Sequence, residues 1–103
     1  MDAQVKKGLL DACVLATLEF GEGYGYKIID DTRSVIEISE STLYPILKRL
    51  ELGGLLAVRS DEHNGRLRKY YRITKSGLGR LEEFRDMLRG MDKIYEFILG
   101  GKQ

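Results

Sequence analysis

The sequence predicts a mainly α fold with one small β hairpin. Apolar residues recur at helical spacing near the start of the chain, around residues 43–50 and over residues 81–98. Asn64-Gly65, the strongest short hairpin signal, separates two stretches of strand character. Glycines cluster at 21–23, 53–54 and 100–101, where the helical pattern stops.

Each element follows from its residues. Val5 to Phe20 reads as a first helix: Val5, Leu9, Ala12, Cys13, Ala16 and Phe20 share a face, and Leu10, Val14 and Leu18 extend apolar character to a second flank. A short helix from about Tyr24 to Thr32 offers Tyr26, Ile28 and Ile29 to the core. Val35-Ile36-Glu37-Ile38, β-branched and alternating, reads as a very short strand. Ser39, Ser41 and Thr42 can cap the next helix, whose inner face is Leu43, Ile46, Leu47 and Leu50, with Pro45 expected in its first turn. Leu55–Ser60 and Lys69–Ile73 are strand candidates joined by residues 61–67. Thr74 can cap a last helix running to about Leu99. Its apolar series Leu81, Phe84, Leu88, Met91, Tyr95, Ile98 alternates steps of three and four, a coiled-coil seam.

Helix-turn-helix followed by a two-stranded hairpin is the winged-helix arrangement. The reading is therefore a winged helix-turn-helix over residues 1–74. A long C-terminal dimerisation helix over residues 75–103 packs on it in one structural unit, and a second copy of the same helix is the natural cover for its seam.

Composition narrows the function. The 103 residues allow one domain, and 43% hydrophobic content supports a real core. No apolar run approaches the roughly 20 residues a bilayer requires, Met1-Asp2-Ala3-Gln4 lacks a signal-peptide layout, and the single cysteine excludes an internal disulfide; a cytoplasmic protein without membrane association is expected. The net charge is only +1. Bases nevertheless concentrate between Arg59 and Arg80 (Arg66, Arg68, Lys69, Arg72 and Lys75 among them) against only Asp61 and Glu62, a local basic stripe on a near-neutral chain.

With Leu43, Ile46, Leu47 and Leu50 turned inward, Ser41, Pro45, Lys48 and Leu52 point outward, flanked by Thr42, Tyr44 and Arg49. Hydroxyls, a phenol and two cations suit a DNA groove, where they reach phosphate oxygens or base edges. His63, Asn64, Arg66, Arg68 and Lys69 lie at or near the hairpin tip, placed to meet the adjacent backbone or minor groove. A lone histidine and a lone Cys13 give no metal spacing, and no paired carboxylates, activated nucleophile or phosphate loop are evident. Neither a cofactor nor an enzymatic activity is expected.

Three stretches resemble the PadR-like family of bacterial regulators: Gly23-Tyr24-Gly25-Tyr26-Lys27-Ile28, Ser41-Thr42-Leu43-Tyr44-Pro45-Ile46-Leu47-Lys48-Arg49-Leu50-Glu51, and Gly65-Arg66-Leu67-Arg68-Lys69-Tyr70-Tyr71-Arg72-Ile73-Thr74. The resemblance runs from about Leu9 to Ile98 and, with the single long last helix, points to the compact branch of the family. It implies a homodimeric repressor binding an inverted repeat in double-stranded DNA. Ser41, Thr42, Tyr44, Pro45 and Lys48 would lie on its recognition helix, and Arg66, Arg68 and Lys69 on its wing. Leu67 stands where members often carry proline. A small hydrophobic or aromatic effector at the dimer interface is a further implied partner; with no Trp in the chain, Phe84, Tyr95 and Phe97 are the available stackers. The competing reading is a winged-helix protein-interaction module without specific DNA binding. The outward Lys48 and Arg49 favour DNA, since protein interface cores are depleted in lysine.

Overall fold

The computed structural model describes residues 3–101, with side chains from Lys6 onward. Met1 and Asp2, and the side chain of Val5, lie outside the described residues. The elements are α1 (Ala3–Thr17), α2 (Gly25–Thr32), α3 (Glu40–Leu52), β1 (Leu56–His63), β2 (Arg66–Ile73) and α4 (Lys75–Ile98).

The core lies where α1, α2 and α3 meet the base of the hairpin. Leu10, Val14, Leu15 and Leu18 enter it from the first segment, Ile28 from α2, and Leu43, Ile46, Leu47 and Leu50 from α3. The inner flank of α1 is thus the 10/14 and 15/18 series. Leu9, Ala12 and Cys13 are half-buried, and Ala16 is exposed. α1 stops at Thr17, earlier than expected, which strands Phe20 in solvent at 93% exposure. Tyr26, expected to be available to the core, also faces water.

The expected strand at Val35–Ile38 does not form. The Val35 and Ile36 amides turn back onto the Thr32 carbonyl at 3.0 and 2.9 Å, and the segment then runs extended without a ladder partner. Strand-prone residues make a strand only where an edge is offered, and here they serve as a connection that buries Ile38. α3 begins at Glu40, capped by the Ser39 side chain, which accepts from the Thr42 amide at 3.3 Å. Pro45 therefore sits inside the helix rather than in its first turn, and it offers no N–H to the Ser41 carbonyl.

The hairpin is longer than expected. Asn64 (φ 52°) and Gly65 (φ 77°) form the whole turn, in the left-handed conformation that Asn-Gly adopts cheaply. The ladder runs from Leu56↔Ile73 to His63↔Arg66, so residues 61–63 and 66–68 are strand and not loop. Gly23 adds a third edge through two backbone hydrogen bonds with Tyr71, at 3.0 and 2.8 Å.

Thr74 joins β2 to α4. Its hydroxyl donates to the Gly54 carbonyl at 2.7 Å and accepts from the Gly77 amide at 3.0 Å, while its own amide donates to the Leu55 carbonyl at 3.0 Å. Gly77 has room only for hydrogen: a β-carbon there would strike the Leu55 carbonyl oxygen and stand 2.6 Å from Ile73 Cγ1. Beyond this joint α4 splits into two parts. Leu81 is 2% exposed inside the subunit core, and Phe84 is half-buried against Gly8 of α1. Arg85 binds Glu19 through two bonds of 2.9 and 2.7 Å. From Met87 to Leu99 the side chains are exposed, including Leu88, Met91, Ile94, Tyr95, Phe97 and Ile98. Of the expected seam, Leu81 is therefore buried within the subunit and Phe84 partly so, while Leu88, Met91, Tyr95 and Ile98 are exposed. Leu81 and Phe84 pack within the subunit because the first turns of α4 lie on α1, and the uncovered strip starts near Leu88.

Among the described residues no cluster of His, Cys, Asp or Glu could hold a metal, and no helix is long and apolar enough to cross a membrane.

Candidate nucleic-acid interface

Two surfaces converge on one side of the molecule. The first is the outer face of α3. Burial of Leu43, Ile46, Leu47 and Leu50 turns Ser41, Thr42, Tyr44, Pro45, Lys48 and Arg49 outward, and all six are exposed. Their surroundings differ. The Ser39 hydroxyl lies 3.0 Å from that of Ser41 and donates to that of Thr42 at 3.1 Å, so the start of α3 presents a linked row of hydroxyls. The Ser41 carbonyl, denied a donor by Pro45, adds an acceptor. Lys48 joins no ion pair among the described residues. Arg49 is set apart: both terminal nitrogens bind Asp11 of α1 at 2.7 Å, which draws the guanidinium to the flank.

The second surface is the wing. Strand alternation sends Arg66, Arg68 and Tyr70 to one face, and Leu67, Lys69 and the buried Tyr71 to the other. Asn64 occupies the turn, beside a Leu67 that is 82% exposed. Between the wing, the start of α2 and Tyr44 lies an open groove of about 670 Å³. Its lining includes His63, Arg66, Arg68 and Lys69 and no acidic residue, so an anion entering it meets only cations, dipoles and rings. Tyr44 leans across the floor, its hydroxyl 2.5 Å from where a Gly25 side chain would begin.

Several residues that shape this region escaped sequence reasoning. Arg59 Nε donates to Glu22 at 3.1 Å and Nη1 to Asp61 at 3.1 Å, and Nη2 also bonds Glu22. The Arg59 guanidinium holds the Glu22 carboxyl below the usual glutamate range. It also lies 4.4 Å from the centre of the Tyr70 ring. Tyr70 meets Tyr24 edge-on at 5.9 Å, and Arg68 lies over Tyr24 at 4.0 Å. The only sequence signal for this chain of contacts is a tyrosine between two glycines, Gly23 and Gly25, too small to cover its ring. Pairings that span 37 residues, as Arg59 and Glu22 do, leave no periodic trace.

Comparison with known proteins agrees with this geometry. The family model described as the transcriptional regulator PadR-like family matches residues 14–83. The transcriptional regulator Rv3488 of Mycobacterium tuberculosis is 38% identical over 71 residues, 69% of this chain and 64% of that protein. A PadR-like transcriptional regulator from Bacillus cereus superposes with a TM-score of 0.82 at 31% identity, covering 97% of this chain and 100% of that one. Bacillus subtilis PadR in complex with operator DNA superposes with a TM-score of 0.69 at 27% identity, over 74% of this chain and 47% of that one.

Proposed function

The chain belongs to the PadR-like family of transcriptional regulators, and from that premise we propose that it is a homodimeric repressor that binds an inverted-repeat operator in double-stranded DNA. The observation that carries the reading is the union of the polar outer face of α3 with the acid-free basic groove under the wing. α3 enters a major groove, with Ser41, Thr42, Tyr44, Pro45 and Lys48 toward base edges and phosphates. Asn64, Arg66, Arg68 and Lys69 meet the flanking backbone. Arg49 acts chiefly through its tie to α1. The operator complex of the Bacillus subtilis relative supports this assignment by analogy.

Dimerisation uses the uncovered strip of α4, centred on Leu88, Met91, Tyr95 and Ile98, which a second copy of α4 covers. Two recognition helices then reach successive major grooves about 34–36 Å apart, and the bound dimer occludes a promoter. Residues 1–74 and 75–103 divide the work between DNA and partner while sharing one core. A small hydrophobic or aromatic effector within the dimer would shift operator affinity only by its differential affinity for two helix spacings. The protein acts in the cytoplasm, where its DNA is.

The test is fluorescence anisotropy on DNA from the protein's own upstream region, at two salt concentrations with nonspecific competitor. Tight, competitor-resistant binding that weakens with salt supports the reading. If no sequence recovered by genome-wide selection beats the competitor, the reading fails in favour of a protein-interaction module.

A further inference from the structure

Tyr24 lies on neither the recognition helix nor the wing, yet it touches the cation that faces the groove. It is the N-cap residue of α2, with an extended backbone (φ −126°, ψ 170°) and no capping side-chain hydrogen bond. Its ring lies under Arg68, with the guanidinium carbon 4.0 Å from the ring centre. The edge of Tyr70 packs against it at 5.9 Å, and Arg59 covers Tyr70 at 4.4 Å.

The two arginines of this stack differ in charge state of their surroundings. Asp61 is the direct cross-strand neighbour of Arg68. It is nevertheless held by Arg59 at 3.1 Å and by the Glu62 amide at 2.8 Å. Glu22 also binds Arg59. Both nearby carboxylates are thus drawn to Arg59, and among the described residues none pairs with Arg68. A ring face attracts a guanidinium without neutralising it and without occupying the N–H groups at its edge. Arg68 is therefore fixed in position while its charge and donors remain free, on the rim of a groove without acids.

We propose that Tyr24 is a positioning residue for DNA binding: its ring holds Arg68 over the groove so that the guanidinium edge is presented to a backbone phosphate. The Glu22–Arg59–Asp61 cluster completes the device by keeping both acids away from Arg68. This inference rests on the DNA-binding reading above and adds to it a residue outside both contacting elements.

The experiment is a double-mutant cycle on the full chain, with Kd measured by anisotropy against salt on an operator fragment. Arg68→Ala, which alters both subunits of the bound dimer, is expected to lower the salt slope by about 1.8, two phosphates' worth. Tyr24→Leu is expected to weaken binding about threefold, Tyr24→Phe to leave it unchanged, and Tyr24→Leu in the Arg68→Ala background to add nothing. A purely structural role for Tyr24 would weaken binding in both backgrounds, and that additivity overturns the proposal. The free protein supplies a second readout that does not depend on DNA: the Arg68 side-chain protons are shifted upfield by the ring current in the wild type and in Tyr24→Phe, and that shift is lost in Tyr24→Leu. Its absence from the wild type also overturns the proposal. If Arg68→Ala changes neither affinity nor slope, the contact of Arg68 with DNA fails and this inference fails with it, while the DNA-binding reading stands on the remaining residues. If Arg68→Ala acts and Tyr24→Leu does not, only the role of Tyr24 falls.

Discussion

Arg49 and Asp11 face each other across 38 residues of sequence, with Nη1 and Nη2 each 2.7 Å from a carboxylate oxygen. The pair fastens the end of α3 to α1, and Asp11 raises the guanidinium's proton affinity further through these bonds. Its side chains are 41% and 25% exposed, so solvent screening limits it to about 0.5–1 kcal/mol. Arg49→Ala is expected to lower stability by that amount in denaturant unfolding while leaving the salt slope of DNA binding unchanged. A slope reduced by two phosphates, one per subunit, would instead place Arg49 on the backbone.

Lys48 stands one position earlier with no such tie. Lys48→Ala is expected to weaken DNA binding by about 1–3 kcal/mol per half-site with relaxed preference at one base of each if it reads an edge, or to lower the salt slope of the dimer by about two if it meets phosphate. Anisotropy on a panel of single-base operator variants separates these cases. Unchanged affinity and slope would remove Lys48 from the interface.

Leu81 and Leu88 lie on the same helix but are expected to fail differently. Leu81 is 2% exposed and Leu88 46%. Leu81→Ala should cost about 2–5 kcal/mol of folding stability, visible as a lower thermal midpoint. Leu88→Asp should give a folded monomer at micromolar concentration in sedimentation velocity, since it places a charge on the uncovered strip. A Leu88→Asp protein that remained dimeric would move the partner surface elsewhere.

Glu19 links stability to acid. Its hydrogen bonds from Arg85 hold the carboxyl below the ordinary glutamate value of 4.5. A depressed carboxylate contributes stability that is complete above that ordinary value and is lost as pH falls through the lower folded one. Glu22 and Asp61 shift the same way, through Arg59 for the first and through the Glu62 amide and then Arg59 for the second. Thermal midpoints should therefore fall below about pH 4.5, and Glu19→Gln should make that decline shallower. An identical decline in Glu19→Gln would discount the pair.

Local chemistry was readable from sequence. The capping role of Thr74, the Asn64-Gly65 turn and the inward face of Leu43, Ile46, Leu47 and Leu50 all depend on neighbours within a few residues, and all appear where expected. Properties set by distant partners were not readable. Val35–Ile38 has strand propensity but no edge to join. The α4 heptad pattern is continuous, yet α1 covers its first part, and nothing in the periodicity of α4 marks where that cover ends. Arg49 finds Asp11 across 38 residues and Arg59 finds Glu22 across 37, and it is this second pairing, joined by Asp61, that leaves no described acid for Arg68.

The joint at Thr74 leaves no slack between wing and last helix: β2 ends at Ile73 and α4 starts at Lys75. Rotational phase is consequently built into the chain length at this point. One residue inserted after Thr74 would turn all of α4 by about 100° and carry the uncovered strip away from its present bearing, whereas seven would return it to within about 20°. Only whole heptads at this joint preserve the bearing of the strip, and each also advances α4 along its axis by about 10.5 Å.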